Sequence, residues 1–338
     1  MNDRPLRIGI LGAARIAPMA LVRPARSVPE VVITAVAARD PARAQTFARK
    51  QAIPRVLADY GTLITDPDID AIYNPLPNGL HCEWTVRALR AGKHVLCEKP
   101  IAANAREAER MAAAAHDAGR VLMEAFHWRY HPLAARLKAI IDGGELGTVQ
   151  HIEVHFCIPL LRRGDIRYRF DLAGGATMDV GCYAISIMRF LAGAEPDVLH
   201  AAALLSSPGV DRAMRATFRF ADGRTGAISC SLFSRTLLRA SARVRGDRGE
   251  LRVFNPIVPH LFHRLTVRTP AGVRRERVNG DPTYTHQLRA FVAAVRDGAP
   301  IPTGPDDAIA NMRVIDAVYE RAGLQPRGSV DPEAGLPR

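Results

Sequence analysis

Lysine is scarce in this chain: only four of the 338 residues are lysines, whereas arginine is abundant. One of the four, Lys99, follows the apolar pair Val95-Leu96 in the segment Cys97-Glu98-Lys99-Pro100. A sequence that otherwise uses arginine for surface charge has kept an ammonium group where a strand would end. Such a lysine is a candidate for proton handling or ligand binding.

Cysteine is also sparse and follows no pairing pattern. The five cysteines are odd in number, widely spaced and without a C-x-x-C pair. This spacing argues against both a disulfide framework and a zinc site. We therefore expect a protein of the reducing cytoplasm, with no bound metal.

Long apolar runs and low-complexity tracts are absent. No uncharged run approaches the roughly 18 residues that a membrane span needs, and the polar residues 1–7 do not form a signal peptide. With 48% hydrophobic and 24% charged residues, the composition is that of an ordinary globular protein. A chain of 338 residues fits two domains.

The net charge of +12 could indicate a nucleic-acid partner. The arginines, however, are scattered evenly, with no basic arm, no aromatic interleaving and no helix suited to reading a groove. We expect a solvated arginine-rich surface and neither a nucleic-acid nor a membrane partner. A basic surface also favours anionic ligands such as a phosphorylated cofactor.

The first 125 residues alternate strand and helix patterns. Apolar runs predict strands at 6–11, 31–38, 71–73, 93–97 and 121–125. Helices are predicted from 13 to 25, from Pro41, over 79–91, and from the cap residue Asn104 to Gly119. Repeated βα units with short connections predict a parallel sheet covered by helices on both faces, and thus a Rossmann domain over residues 1–126.

The pattern changes after about residue 146. Strands are predicted at 150–158, 200–206, 213–220, 225–233, 241–245, 250–254 and 265–268, and helices at 177–192, 283–297 and 306–322. The predicted fold class is therefore α/β, with a C-terminal α+β domain (127–338) that contains a large, mostly antiparallel open sheet. Because one face of that sheet would be uncovered, we expect a homodimer or homotetramer formed through it.

The turn after the first strand reads Gly12-Ala13-Ala14-Arg15-Ile16-Ala17 and aligns with G-x-G-x-x-G. Gly12 permits the tight turn, and the helix N-terminus that follows can receive a pyrophosphate. Ala14 departs from the pattern, because the second glycine normally allows close approach to phosphate. The position within a βαβ unit supports a dinucleotide site, while a tight turn without a ligand stays open.

The end of the second strand indicates the type of cofactor. An NAD site has an acid there that holds the ribose hydroxyls, whereas this chain has Arg39-Asp40-Pro41. Arg39 is able to bind a 2′-phosphate, so we predict NADP rather than NAD. Asp40 keeps NAD possible, or it only caps the helix that starts at Pro41.

Four segments resemble the Gfo/Idh/MocA oxidoreductases, and the resemblance covers nearly the whole chain. They are the Gly12 turn, the Asn-Pro-Leu-Pro-Asn-Gly-Leu-His run at 74–81, Glu98-Lys99-Pro100, and the run 174–183. The resemblance implies hydride transfer involving a sugar or related alcohol, with Lys99 and Asp179 facing the substrate near the nicotinamide. It also implies a dinucleotide site formed by Gly12, Ala14, Arg15, Ile16, Arg39, Leu76, Asn78, His81, Glu98 and Lys99.

Tyr183 lies one helical turn after Asp179, where many family members have histidine. Tyrosine there resembles the branch with dimeric dihydrodiol dehydrogenase, NADP-dependent xylose dehydrogenase and glucose–fructose oxidoreductase. We assign Tyr183 as general acid/base and Asp179 as a partner of Lys99 or of a substrate hydroxyl. A tyrosine pKa is about 10, and an ammonium within about 4–6 Å lowers it by roughly 1–3 units, so we expect Lys99 to tune Tyr183. A buried tyrosine with a packing role is the alternative.

Substrate contacts are expected from two further segments. In Phe126-His127-Trp128-Arg129-Tyr130-His131-Pro132, the two histidines resemble metal ligands, but Pro132 disrupts a regular helix and a third ligand is missing. We expect Trp128 or Arg129 to contact a sugar or diol instead. Arg163, Arg167 and Arg169 either bind an anionic substrate, with Arg167 as the candidate, or belong to a solvated loop.

The predicted function is that of an NADP-dependent dehydrogenase or reductase acting on an aldose or dihydrodiol. Two alternatives stay open. The first is an NDP-hexose 3-ketoreductase, because such enzymes share a segment similar to Gly164-Asp165-Ile166-Arg167-Tyr168. The second is a non-catalytic NADP-binding regulator, against which the presence of Lys99, Asp179 and Tyr183 argues.

Overall fold

Two β-sheets, one from each half of the sequence, organise the chain in the computed structural model, which describes residues 4–161 and 164–328. The first sheet is parallel, with the strand order β3-β2-β1-β4-β5-β6. This is the order of a doubly wound dinucleotide-binding sheet, which confirms the predicted Rossmann domain. Its strands are β1 (Leu6–Leu11), β2 (Val31–Ala37), β3 (Arg55–Val56), β4 (Ala71–Asn74), β5 (His94–Cys97) and β6 (Leu122–Glu124).

Three helices of this half, α2, α3 and α5, begin at side chains that cap them. The Asp40 carboxylate accepts hydrogen bonds from the N–H groups of Ala42 and Arg43, and the Asn104 side chain accepts one from Glu107. A wide helical turn, Pro18–Val22, precedes α1, and Pro18 stands in its first turn, where no N–H donor is needed. The helices are α1 (Arg23–Ala25), α2 (Pro41–Gln51), α3 (Tyr60–Thr65), α4 (His81–Arg90) and α5 (Ala105–Ala118).

The second sheet has eight strands in the order β14-β13-β12-β11-β7-β10-β9-β8. All neighbours are antiparallel except β7 and β10, so the prediction of a large, mostly antiparallel sheet is confirmed. Its strands are β7 (Val149–Cys157), β8 (Pro196–Ser207), β9 (Val210–Phe220), β10 (Thr225–Ser231), β11 (Arg239–Gly246), β12 (Glu250–Phe254), β13 (Arg264–Thr269) and β14 (Gly272–Glu276).

One face of the second sheet is covered and the other is exposed. Buried residues of β9, such as Met214 and Phe218, alternate with the exposed residues Arg215, Thr217 and Arg219. The covered face packs against a buried helix, α7, and against α9. The helices of this half are α6 (Pro132–Asp142), α7 (Cys182–Ala192), α8 (Thr283–Asp297) and α9 (Pro305–Arg321).

Helix α8 packs against the first sheet, although in sequence it follows all the strands of the second sheet. Its side chains Tyr284, Leu288 and Phe291 share a buried cluster with Ile8 and Ile10 of β1. The sequence division at residue 126 therefore separates the two sheets but not the two cores. No helix in residues 4–161 or 164–328 is long and apolar enough to cross a membrane.

Candidate functional site

Lys99, Asp179 and Tyr183 meet where the two halves of the chain face each other. Lys99 follows β5, Asp179 lies in the wide turn Thr177–Gly181 before α7, and Tyr183 is in the first turn of α7. The Lys99 Nζ donates to the Asp179 backbone oxygen at 2.7 Å and to Oδ1 at 3.3 Å. It also lies 4.9 Å from the centroid of the Tyr183 ring. The structure thus brings together the three residues that the sequence analysis assigned to catalysis.

The Lys99–Asp179 contact is an ion pair of two mostly buried side chains, which are 14% and 16% exposed. Burial disfavours both charges and is the largest single effect, but the neighbouring groups of opposite charge together outweigh it. The pKa of Lys99 is raised, and the pKa of Asp179 is lowered by the neighbouring Lys99 and Arg167. Both groups are therefore charged at neutral pH.

The phenol of Tyr183 is neutral in this environment. Burial raises its pKa well above the usual value, and the nearby Tyr284 and Glu98 add to the effect. The Lys99 ammonium lies over the ring face and not at the phenolic oxygen, so the expected lowering of the Tyr183 pKa is wrong for the protein in this state. Because the phenol is protonated, Tyr183 is able to act as a proton donor.

The Tyr183 hydroxyl has a partner that the sequence analysis did not assign to it. Its oxygen lies 3.2 Å from His127 Nε2, and His127 Nδ1 lies 2.8 Å from the Thr283 hydroxyl. His127 is buried, and burial together with Lys99 lowers its pKa to about 3. Because Thr283 follows His127 by 156 positions, no local pattern could have joined them.

A line of alternating charges connects Lys99 and Asp179 to the Gly12 turn. Arg167 Nε lies 2.9 Å from Asp179 Oδ2, and its Nη1 lies 3.3 Å from Asp165. The buried Asp165 carboxylate in turn pairs with the exposed Arg15 at 3.2 Å. The Gly12 turn and the Asp179 carboxylate are therefore electrostatically coupled through the loop that carries Asp165 and Arg167.

The other two loop arginines differ from Arg167. Arg169 is exposed and pairs with Asp171 two residues away, as expected for a solvated loop, and Arg163 lies outside the described residues. Gly174, which ends this loop, allows close backbone packing, because a Cβ there would lie 2.6 Å from the Arg167 carbonyl oxygen. The loop thus closes tightly onto the segment that carries Asp179.

The turn after β1 has the form of an anion-binding loop. Gly12 has φ +85°, which favours glycine, and a Cβ there would lie 3.1 Å from Leu76 Cδ2. Within the described residues, the backbone N–H groups of Ala13, Ala14, Arg15 and Ile16 donate to no protein acceptor. Four free donors before a helix N-terminus suit a pyrophosphate, despite alanine in place of the second glycine.

The residues after β2 fit a phosphorylated ribose better than a free one. The Asp40 carboxylate is engaged in capping α2. Arg39 is exposed, and in the part of the chain that the structure describes it has no hydrogen bond or ion pair. A free guanidinium at this position is suited to bind a 2′-phosphate.

Three further residues assigned to the dinucleotide site lie between the two halves. Leu76 packs over Gly12, and the Asn78 amide donates to the Ala173 carbonyl at 3.1 Å. Glu98 is buried and accepts a hydrogen bond from the Tyr73 hydroxyl at 2.6 Å, and burial raises its pKa. These contacts hold the segments after β4 and β5 in a fixed relation to the second half of the chain.

Two assignments from the sequence do not fit the structure. His81 is fully buried, and its ring nitrogens lie 2.9 Å from the Pro100 carbonyl and 2.7 Å from the Leu76 carbonyl. It holds two site segments together and presents no surface to a cofactor. Trp128 is 1% exposed and packs edge-on against Phe190, so it has no surface for a substrate.

Arg129 also lies away from the three assembled residues. Its guanidinium stacks on Phe190 at 3.9 Å. Burial lowers its pKa, with Asp307 and Arg189 as charged neighbours. These contacts belong to the packing of α7 against its neighbours. The structure therefore does not support the expected contact between Arg129 and the substrate.

The two histidines that resembled metal ligands point in different directions. His127 faces Tyr183 and Thr283, whereas His131 Nδ1 accepts a hydrogen bond from the Leu133 N–H and caps α6. Among residues 4–161 and 164–328, no group of three or more suitable side chains is placed to hold a metal ion.

Comparisons with known proteins agree with this two-sheet fold. The family model described as an oxidoreductase family with an NAD-binding Rossmann fold (GFO/IDH/MocA) matches residues 6–126. The GFO/IDH/MocA C-terminal domain model matches residues 134–252. Together the two models cover most of the chain.

Three similar proteins align with almost the whole chain. The D-xylose 1-dehydrogenase (NADP(+)) 2 of Haloferax volcanii is 35% identical over 94% of this chain and 97% of its own length. The dTDP-3,4-didehydro-2,6-dideoxy-alpha-D-glucose 3-reductase of Streptomyces violaceoruber is 33% identical over 95% and 96%. A crystal structure of a 3-ketoreductase from Actinomadura kijaniata with NADP and TDP-benzene superposes with a TM-score of 0.88, at 29% identity over 95% of this chain and 98% of that one. The chain belongs to the Gfo/Idh/MocA family of oxidoreductases.

Proposed function

We propose that the protein is an NADP-dependent dehydrogenase or reductase that interconverts a hydroxyl and a carbonyl group of a sugar. The observation that carries this proposal is the convergence of Lys99, Asp179 and Tyr183 at the junction of the two halves. An ammonium and a neutral phenol side by side supply a hydrogen-bond donor and a proton donor for one substrate oxygen. A binding protein without catalysis has no need for this pair.

The cofactor site fits NADP. The free N–H groups of Ala13 to Ile16 would hold the pyrophosphate, Arg39 would bind the 2′-phosphate, and Leu76, Asn78 and Glu98 would line the remainder. When bound, NADP supplies or accepts the hydride. The relatives support this choice, because the xylose dehydrogenase is named for NADP(+) and the 3-ketoreductase structure contains NADP.

The roles of the three site residues follow from their charges. Tyr183, which is protonated, gives its proton to the carbonyl oxygen during reduction and takes it back during oxidation. Lys99 donates a hydrogen bond to the same oxygen. Asp179 keeps Lys99 charged and oriented, and Arg167 neutralises the second oxygen of Asp179. Any lowering of the Tyr183 pKa by Lys99 would require the ammonium to move from the ring face toward the phenolic oxygen.

Variants of a relative support the assignment of Lys99 and Tyr183. The A. kijaniata 3-ketoreductase has been crystallised with a lysine replaced and with a tyrosine replaced by phenylalanine. The lysine and the tyrosine are 84 positions apart in that protein, as Lys99 and Tyr183 are here.

The substrate class rests on the relatives and on one local feature. We favour an aldose or a dihydrodiol, in accord with the similarity to the xylose dehydrogenase. A nucleotide-linked keto sugar is the second candidate, because Arg167 is partly exposed beside Asp179 and is able to bind a phosphate group. The TM-score of 0.88 to the 3-ketoreductase with TDP-benzene supports the same candidate.

The first experiment is a screen for NADP⁺ reduction with aldoses and trans-dihydrodiols, and for NADPH oxidation with TDP-linked keto sugars. Tyr183→Phe and Lys99→Met are expected to lower turnover by at least about a hundredfold, with NADPH affinity, measured by fluorescence, little changed. The matched control is Tyr130→Phe, which removes a hydroxyl bonded to Thr303. Near-normal turnover of either site variant would refute the assignment.

Two further properties remain proposals. All five cysteines are free and buried, which supports a reducing compartment, the cytoplasm. The uncovered face of the second sheet supports a homodimer or homotetramer, and light scattering of the purified protein would detect a monomer if this is wrong.

A further inference from the structure

The Tyr183 phenol is the end of a three-member hydrogen-bonded chain. Its oxygen lies 3.2 Å from His127 Nε2, and His127 Nδ1 lies 2.8 Å from Thr283 Oγ1. His127 and Thr283 are buried, and in the described residues the Thr283 hydroxyl has no other partner. The state of the phenolic proton is therefore linked to the arrangement of hydrogens on His127.

His127 is neutral here and so carries one N–H. In the first arrangement Nδ1–H donates to Thr283, and Nε2 accepts a hydrogen bond from the phenolic O–H. In the second, the Thr283 hydroxyl donates to Nδ1, and Nε2–H donates to the Tyr183 oxygen. Only the second leaves the phenolic hydrogen free to point at a substrate.

The surroundings hold the imidazole in place for this role. Its ring lies 4.0 Å from the Tyr284 ring at a tilt of 36°. Lys99 and His260 are the ionisable groups that disfavour a positive charge on it. The ionisable groups around Tyr183 itself are Lys99, Tyr284, Glu98, Cys182 and Asp179.

We propose that His127 is a positioning residue for Tyr183: with Thr283 donating to its Nδ1, its Nε2–H donates to the phenolic oxygen, directs the phenolic proton toward the substrate and stabilises the phenolate left behind. This inference rests on the proposed acid role of Tyr183. It adds a residue and a tautomer to that role. The buried Thr283 hydroxyl favours this tautomer because, with no other acceptor in the described residues, its hydrogen is bonded only when it donates to Nδ1.

The proton balance closes with Tyr183, the substrate and one proton from solvent. During reduction the O–H bond of Tyr183 breaks and an O–H bond forms on the substrate oxygen. The charge left on the phenolate is shared between the hydrogen bond from His127 and the nearby Lys99. A proton from solvent then restores the phenol, and His127 keeps its single proton throughout.

The tautomer can be measured without any substrate. In protein labelled with ¹⁵N-histidine, two-bond ¹H–¹⁵N correlation spectra distinguish protonated from unprotonated ring nitrogens, and the His127 signals are those absent from His127→Gln. We expect a protonated Nε2 in the wild type and a mixture or reversal in Thr283→Val, whereas Thr283→Ser keeps the wild-type state. A protonated Nδ1 in the wild type overturns the proposal.

Kinetics with the substrate found in the screen test the consequence. His127→Met removes the donor, so kcat is expected to fall on the order of tenfold to hundredfold, the scale of a lost hydrogen bond to a charged group, with KM little changed. The pH midpoint for oxidation moves up by about one unit or more, because a donor to the phenolate lowers its pKa. His127→Gln retains an N–H donor, so its kcat and its pH midpoint should stay close to those of the wild type.

A buried histidine that does not touch Tyr183 provides the matched control. His131→Asn keeps an acceptor for the Leu133 N–H, and it should leave the pH midpoint in place. An unshifted midpoint in His127→Met, with thermal stability retained, would show that His127 only fills space. If no substrate is found, the tautomer measurement still decides the inference, so its failure is distinct from failure of the proposed function.

Discussion

At the scale of single residues, cofactor preference depends on one exposed guanidinium. Arg39 has no partner among the described residues, whereas the neighbouring Asp40 is engaged in capping α2. Arg39→Ala should raise the Kd for NADPH about ten- to a hundredfold, because it removes a charge-assisted hydrogen bond to the 2′-phosphate, while the Kd for NADH changes little. Fluorescence titration with both cofactors measures the two constants.

The control for this change is Arg43→Ala, which removes an exposed arginine from the first turn of α2, four positions after Arg39. It should leave both dissociation constants near their wild-type values. An equal loss of NADPH and NADH affinity in Arg39→Ala would mean that Arg39 contacts a part common to both cofactors.

Sequence reasoning located the charged part of the site but not its hydrogen-bonded part. Lys99 and Asp179 were identifiable because each stands in a short motif, and the structure places them together. The pairing of Tyr183 with His127 depends on a contact between α7 and the segment after β6, and Thr283 arrives from α8. Contacts between distant elements leave no periodic pattern in a sequence. The raised pKa of Tyr183 could not be predicted either, because it results from burial among such contacts.

At the scale of elements, the ends of β5 and β6 are joined through a buried acid. Glu124, the last residue of β6, accepts a hydrogen bond from the Ile101 N–H at 2.8 Å, and its second oxygen has no partner in the described part of the chain. Burial raises its pKa to about 8, and Asp307 adds to the effect. The folded protein therefore keeps this proton at neutral pH.

This raised pKa makes stability depend on pH. Between about pH 4.3, where an unfolded glutamate ionises, and pH 8, the unfolded chain loses the proton and the folded chain retains it, so stability falls as pH rises. Glu124→Gln stays neutral in both states and should be more stable than the wild type at pH 8 but not at pH 4. Urea unfolding across this range measures the difference, and parallel curves would contradict the expectation.

Element prediction succeeded for most elements that an apolar pattern or a cap marked, although α3, which Asp59 caps, was missed. The parallel strands of the first sheet and the α2 and α5 caps followed from such signals. The missed strands lack them: β3 has two residues, and β14 is an exposed, arginine-rich edge strand without alternation. Pro132 was interpreted as a disruption, but it occupies the first turn of α6, where a missing N–H costs nothing.

At the scale of the whole molecule, a buried ion pair ties the last described residues to the site. Arg327 and Asp211 are both fully buried and 2.9 Å apart, and Arg327 Nε donates to the Gly174 carbonyl. Asp211 also accepts hydrogen bonds from Thr177, at the start of the turn that carries Asp179. Arg327→Met should therefore cost about 3–5 kcal/mol of unfolding free energy by leaving a buried carboxylate unpaired.

Denaturant unfolding measures this loss, and Arg321→Met, at an exposed position at the end of α9, serves as the control. Adding Asp211→Asn to Arg327→Met removes the unpaired charge and should recover part of the loss. If the double variant is no more stable than Arg327→Met alone, the cost does not come from the charge.

The position of α8 determines how the cofactor-binding half could be transplanted. Tyr284, Leu288 and Phe291 fill the face of the first sheet beneath Ile8 and Ile10. A fragment that stops at residue 126 would expose that apolar face to water. A portable dinucleotide module from this protein is therefore made of two pieces of chain, the first 126 residues and α8, joined by a new linker in place of the second sheet.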